Sequence, residues 1–296
     1  MFDFHTDKTR YFAMQRDIAA AYVLPMLAAH LPSTRAWRVL EVGCAEAGVL
    51  KAFVDAGHTG VGIELEASRA ELARNFLAAD IASGKASIQT ENIYDVSPKE
   101  LEPQGFDAII LKDVIEHIPG QERMIPRLAE FLSPGGRIFF GFPPWMMPFG
   151  GHQQIAKSAM VSKVPWIHLL PAAAYRGYVK LAGERTRIRE ELEDIRSTRI
   201  TIERFERIVR DCDLTIDERK LWLFNPIYAE KFGIPATEQF GLLTRVPILR
   251  NFVSTAAYYV VSDSRRTDGY PHGSSTAKAD NSSPTTAAAL TYASVD

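Results

Sequence analysis

The sequence predicts an α/β fold, a doubly wound and mostly parallel sheet of seven strands carrying a helical insertion. Three observations lead there. From Arg38 onward short apolar runs alternate with longer helix-period segments; a loop of small residues follows the first run; and the rhythm lapses after residue 142 and resumes near Thr201. Buried strands are expected at 38–42, 60–64, 86–90, 106–111 and 137–141, each a short run rich in Val, Ile, Leu and Phe or bounded by turn residues. Helices are expected at 48–55, 68–81 and 121–132, where apolar residues recur three and four apart, with the Ser-Pro-Gly-Gly turn at 133–136 closing the last. A helix at 201–212, a strand at 215–224 and an apolar run at 254–262 complete the sheet.

Around this main domain, 38–262, stand three other regions. Residues 1–37 read as a helical cap, an amphipathic helix over 10–31 that Pro25 should kink or split. Residues 145–200 read as a helical lid inserted after the fifth strand, ending in a charged helix whose alternating signs suit a solvated face. Residues 263–296 are Ser, Thr, Ala and Gly with few large apolar side chains, too little to offset the entropy of ordering, and should be disordered.

Composition narrows the function. Of 296 residues, 46% are hydrophobic and 24% charged, which excludes a disordered, collagen-like or coiled-coil chain. A net charge of −2 leaves no global positive field for nucleic acid, and no basic-aromatic cluster replaces it. Cys44 and Cys212 are too far apart in sequence for a zinc spacing, and no metal ligands are expected. The charged N-terminal stretch does not read as a signal peptide, and no run reaches the ~18–20 apolar residues of a membrane span. A cytoplasmic protein is expected.

The chemistry concentrates at the C-terminal ends of the first strands. In VLEVGCAEAG, residues 39–48, a strand enters a small-residue loop and then a helix, so backbone N–H groups can approach a ligand. Gly43, Ala45 and Gly48 form a degraded G-x-G-x-x-G, which keeps a nicotinamide dinucleotide in play. Glu64 ends the second strand 21 positions past Gly43, where a carboxylate can hold ribose hydroxyls. LKDVIEHI, residues 111–118, sets Asp113, Glu116 and His117 at the same edge, a cluster with no standard place in nicotinamide enzymes.

These runs, with TENIYD at 90–95 and LSPGGRIFFGFP at 132–143, resemble the successive motifs of class I S-adenosylmethionine-dependent methyltransferases over residues 38–144. The resemblance implies a Rossmann-like sheet of order 3-2-1-4-5-7-6 with strand seven antiparallel. It further implies S-adenosylmethionine as cofactor, its methionine part bordered by Glu41, Gly43, Cys44 and Ala45, its ribose held by Glu64 and its adenine met by Asn92 and Ile93. Asp113 would lie near the methionine part; on the residues alone it is equally suited to capping the next helix. Ala45 and Ala47 depart from the family's glycines, and alanine disfavours positive φ. The run FPPWMMPFGGHQ, residues 142–153, would deliver His152 over the pocket as base or acceptor contact, with His117 the second candidate and Trp145, Met146, Met147 and Phe149 as an apolar wall.

The implied reaction is methyl transfer to an oxygen or nitrogen of a small-molecule or lipid-like acceptor. The apolar stretch 155–181, with interspersed Lys157, Lys163, Arg176 and Lys180, reads as lid and packed helices; it also suits an interfacial membrane contact, which Pro165 and Pro171 disfavour. Two other classes stay open on the residues: an NAD(P)-dependent oxidoreductase, and a catalytically idle methyltransferase-like module that binds a partner.

Overall fold

The alternation of runs and helices resolves into one sheet. The computed structural model describes residues 7–266; the expected tail falls outside the described residues beyond 266. The strands are β1 (Arg38–Val42), β2 (Thr59–Ile63), β3 (Ala86–Gln89), β4 (Phe106–Lys112), β5 (Leu132–Phe142), β6 (Thr215–Phe224), β7 (Thr237–Glu238) and β8 (Ala256–Ser262). Their order is β3-β2-β1-β4-β5-β8-β6-β7. β1 to β5 pair in parallel, and β8 enters antiparallel between β5 and β6. This is the expected Rossmann-like order with one addition: the two-residue β7 pairs along the edge of β6, making eight strands instead of seven.

All seven residues of β4 are buried, as a strand covered on both faces requires. One face packs on helices Gln121–Ala129 and Ile202–Asp211 through Ile109, Phe140, Met124, Leu128 and Phe205. The other packs on helices Gly48–Asp55 and Ala67–Phe76 and on the N-terminal helical segment, through Ile110, Phe139, Leu50, Phe53, Ala70 and Val23.

Three local expectations change. The helix expected at 68–81 is two, Ala67–Phe76 and Ala78–Ala82, broken where Leu77 leaves helical geometry at φ −99° and ψ 16°. Residues 133–136 do not close a helix, which has already ended at Ala129; they bulge within β5, whose pairing with β4 jumps from Phe106↔Leu132 to Ala108↔Arg137. The N-terminal segment stays helical past Pro25. A π-helical turn, Ala19–Val23, precedes it, and Pro25 stands in the first turn of helix Leu24–Ala28, which follows without a break in helical φ and ψ.

The N-terminal ends of β1 and β4 are pinned by Asp107. Its buried carboxylate accepts from Arg35 at 2.7 and 2.8 Å, from the Arg38 N–H at 2.9 Å and from the Ser133 hydroxyl at 2.9 Å. Burial alone would raise its pKa; these donors outweigh burial and hold it well below the usual carboxylate range. A depressed folded-state pKa contributes stability that is complete above the unfolded value of about 3.9 and is lost as pH falls below it. Asp107→Asn should therefore cost about 1.5–3 kcal/mol near neutrality and lose less on acidification than the native chain. Thermal unfolding of both from pH 6 to pH 2.5 checks this, and parallel curves would refute it.

Residues 145–200 form short helical pieces around helices Ala172–Leu181 and Thr186–Thr198, with an apolar cluster of their own that includes Val161, Ile167, Tyr175, Val179 and Leu192. The charged helix is only partly solvated. Arg196 is buried, its guanidinium donating to the carbonyls of His168 and Leu170, and buried Glu184 accepts from the Ser158 N–H at 2.6 Å. Among the described residues no helix is long and apolar enough to cross a membrane.

Candidate active site

The loop after β1 is built by its glycine and two alanines. The N–H groups of Gly43 and Cys44 both donate to the Ile63 carbonyl, at 2.8 and 3.1 Å, which fastens the loop to the end of β2. Gly43 has φ +70°, and a Cβ there would meet Val114 at 2.8 Å. Ala45 and Ala47 also have positive φ, +51° and +61°, so alanine occupies the backbone that glycine takes more cheaply, at about 1–2 kcal/mol each. The Cys44 side chain turns toward Gly62 and is buried, and burial pushes its thiol well above its ordinary pKa. It fills space at the wall of the cleft.

Glu41 caps the helix that follows. Ala47, the residue before helix Gly48–Asp55, offers no side-chain cap; the buried Glu41 carboxylate reaches from β1 to accept the Leu50 N–H at 2.8 Å. Burial pushes Glu41 up to about 8, against the pull of that bond and of Lys112. A raised folded-state pKa contributes stability that is complete below the unfolded value and is lost as pH rises through about 8. Glu41→Gln keeps an acceptor for Leu50 without a titrating group, so its melting temperature should fall less than the native chain's between pH 6 and pH 9. An identical fall would show that Glu41 does not titrate there.

Glu64 follows β2 and is buried. One oxygen accepts the Ala45 N–H at 2.8 Å and the other the Glu66 N–H at 3.0 Å, so the carboxylate already ties the two loops together. Each oxygen has a second lone pair for a ligand hydroxyl. In the loop after β3, Asn92 turns its side-chain oxygen to the Tyr94 N–H at 3.1 Å, while the Ile93 side chain is buried and lines an apolar cavity.

At the end of β4, Asp113 has φ +58° and donates its N–H to Gly141 at 2.7 Å. It does not cap the short 3-10 turn Ile115–His117 that follows. Its carboxylate instead pairs with Lys112 at 2.6 Å, and the buried Lys112 also donates to Gln15 at 2.9 Å. Burial opposes that charge, but Asp113, Tyr258 and Tyr11 outweigh it and the Lys112 pKa is raised.

Two cavities meet along this edge. One, about 60 Å³, is lined by Tyr11, Gln15, Glu41, Ala45, Lys112 and Asp113 among others. The second, about 30 Å³, is mostly apolar, lined by Ile63, Leu65, Ile93, Tyr94, Ile118 and Met124, together with Glu64 and Asn92. Gly43 and Val114 line both. Both are small beside the roughly 300 Å³ or more of a small-molecule pocket, so a nucleoside-sized ligand requires the cleft to open. The helix Lys8–Ile18 is the cover: the Phe12 carbonyl lies against Gly48, Phe12 stacks on Phe76 at 4.4 Å and Lys8 pairs with Glu46 at 2.9 Å.

The loop after β5 brings His152 to His117, ring centroids 4.8 Å apart and edge to face. Burial pushes His152 down to about 4 and, with His152 and Arg69, pushes His117 well below its ordinary value, so both imidazoles are neutral at pH 7. Glu116 is buried beside them, and burial and Asp113 drive its carboxyl well above the usual range. Trp145 and Met147 are buried, Trp145 edge-on to His168 at 4.7 Å. Sequence reasoning missed Lys231, on helix Ile227–Phe232, whose amine burial pushes down to about 8 within electrostatic reach of Asp113, Lys112 and His152. It expected a helical cap over residues 1–37 but not that Tyr11, Phe12 and Gln15 of that cap line the cleft.

A family model described as a methyltransferase domain matches residues 12–183, more than half of the chain. The chain belongs to the methyltransferase domain family. Its sheet order and β1 loop are those of the class I, S-adenosylmethionine-dependent fold within it. The ubiquinone biosynthesis O-methyltransferase of Coxiella burnetii is 30% identical over 102 residues, 34% of this chain and 42% of that protein. Its counterpart from Klebsiella pneumoniae is 23% identical over 127 residues, 40% of this chain and 50% of that protein. The chain thus matches half or less of the length of these curated relatives. Among solved structures, the plantazolicin methyltransferase BpumL in complex with SAH is 11% identical with a TM-score of 0.51, covering 88% of this chain and 93% of its own. A chain from the complex between the Haloferax volcanii Trm112 methyltransferase activator and a putative methyltransferase is 15% identical at 0.51, covering 88% and 96%. These two likenesses show the fold.

Proposed function

We propose that this methyltransferase domain transfers the methyl group of S-adenosylmethionine to an oxygen or nitrogen of a small-molecule or lipid-like acceptor. The observation that carries the reading is the junction at Gly43. A cavity with charged walls and an apolar cavity meet there beside the Glu64 carboxylate, the sequence of surfaces that suits one elongated ligand with an amino-acid end, a ribose and a base. The cofactor supplies a methyl group on positively charged sulfur.

The chain's own residues divide the remaining work. Glu41, Gly43, Cys44, Ala45 and Asp113 border the amino-acid end, Glu64 accepts from the ribose, and Asn92 and Ile93 meet the base. Closure of the N-terminal helix excludes water, and alignment of the nucleophile supplies most of the acceleration. His152 and His117 present neutral imidazoles on the acceptor side, where one can take the proton of a hydroxyl. Oxygen as the acceptor atom draws support from the curated relatives, which are named O-methyltransferases. The lid, residues 145–200, supplies apolar walls for the acceptor.

His152→Asn tests the acceptor-side role and keeps a residue that tolerates the φ of +51° found there. The expected result is unchanged affinity for S-adenosylhomocysteine with kcat lowered about 10²-fold or more, measured on an acceptor found by screening cell extract with labelled cofactor. Equal turnover would remove His152 from the chemistry.

A further inference from the structure

We propose that Glu116, His117 and His152 form a binding site for one divalent first-row transition-metal ion of the zinc class. The donor atoms of these three side chains all lie within 4.8 Å of one another, and the His117 Nε2 is 3.9 Å from a Glu116 oxygen. Donors sharing one tetrahedral ion at bonds of about 2.1 Å stand about 3.4 Å apart, so side-chain rotations of an ångström or so complete the set. The independent observation is Glu116 itself. The residue is 4% exposed, and among the described residues neither carboxylate oxygen makes a hydrogen bond to another residue. A buried carboxyl whose neighbouring imidazole stands 3.9 Å away is under-satisfied, which is costly and rare; an ion between it and the two imidazoles satisfies it.

The fold presents the three together deliberately. Glu116 and His117 share the 3-10 turn after β4, and the Thr198 hydroxyl, from the far end of the helical insertion, anchors that turn at the Glu116 carbonyl. His152 is held at φ +51° by the Gly150–Gly151 turn, where a Cβ on either glycine would strike Trp145 or His168 at 2.2–2.3 Å. Two imidazoles and one carboxylate suit zinc, cobalt or iron(II) over magnesium, which takes oxygen ligands. Three protein ligands leave at least one position open, the arrangement of a catalytic site, and a hydroxyl or carboxylate of the acceptor belongs to the class of ligand such a position takes. The expected absence of metal ligands, drawn from cysteine and histidine spacing alone, could not register a set assembled from two distant loops.

This inference rests on the same acceptor side but makes His152 and His117 ion ligands in place of proton acceptors, and its test needs neither cofactor nor acceptor, so either can fail alone. Untagged protein, stripped with chelator, is titrated with Zn²⁺ by calorimetry and with Co²⁺ by visible absorption. The expected result is one ion per chain and a ligand-field band, with affinity at least 100-fold weaker in Glu116→Gln and His152→Asn but unchanged in the control His30→Ala, whose ring pairs with Glu218 elsewhere. Near-ultraviolet dichroism establishes that each variant is folded. Zinc should also raise the melting temperature of the native chain and not of the two ligand variants. No bound ion in the native chain, or equal affinity in folded Glu116→Gln and His152→Asn, overturns the proposal.

Discussion

Gly43→Ala is expected to destabilise the chain by about 2–5 kcal/mol, combining the cost of an L side chain in the left-handed region with that of overpacking. Both causes are visible at one atom: φ is +70° and the new Cβ falls 2.8 Å from Val114 Cγ2. Val114 cannot easily give way. It is buried, follows Asp113 at the end of β4 and forms the shared wall of both cavities. The substitution should also abolish cofactor binding in whatever fraction stays folded, since the wall it displaces is common to both ends of the ligand. Urea unfolding reads the first effect as a lowered midpoint at unchanged slope. A loss under about 1 kcal/mol, below the left-handed penalty alone, would mean that the loop relaxes away from the geometry described.

Glu64→Ala is expected to weaken S-adenosylhomocysteine binding by about 1.5–3 kcal/mol for each charge-assisted hydrogen bond lost, at least tenfold in Kd. The structure adds a second consequence. The carboxylate also receives the Ala45 and Glu66 N–H groups, so its removal orphans both and loosens the loop that borders the amino-acid end. Glu64→Gln separates the two effects. It retains one oxygen for a loop N–H and loses the charge, so it should recover stability more fully than affinity. If Glu64→Ala binds as tightly as the native chain, Glu64 only braces the loops and the ribose lies elsewhere.

Most of the sheet was legible in the sequence because its strands are short buried runs punctuated by turns, and their order follows from the motifs. The loop after β1 was legible too, including the strain at Ala45 and Ala47, because alanine at a glycine position is visible in one dimension. What stayed hidden is what depends on contact. Glu41 reads as a ligand residue, and that its carboxyl also caps a helix whose own first residues carry no cap shows only in three dimensions. Ser133 to Gly136 reads as a helix stop, yet β4 captures the chain on either side of it and makes it a bulge. Lys231 lies between β6 and β8, where the elements are six residues or shorter and show no period; no local pattern marks it, and only the fold brings it within electrostatic reach of Asp113. The Glu116, His117 and His152 cluster likewise joins two loops 35 positions apart.

The central claim is that the cleft around Gly43 and Glu64 binds the adenosylated cofactor, and calorimetric titration with S-adenosylhomocysteine tests it most directly, with NAD and NADH as controls. The account predicts binding near the micromolar range for the first alone, weakened at least tenfold by Glu64→Ala. Binding of a nicotinamide dinucleotide in its place, or of none of the three, would contradict it.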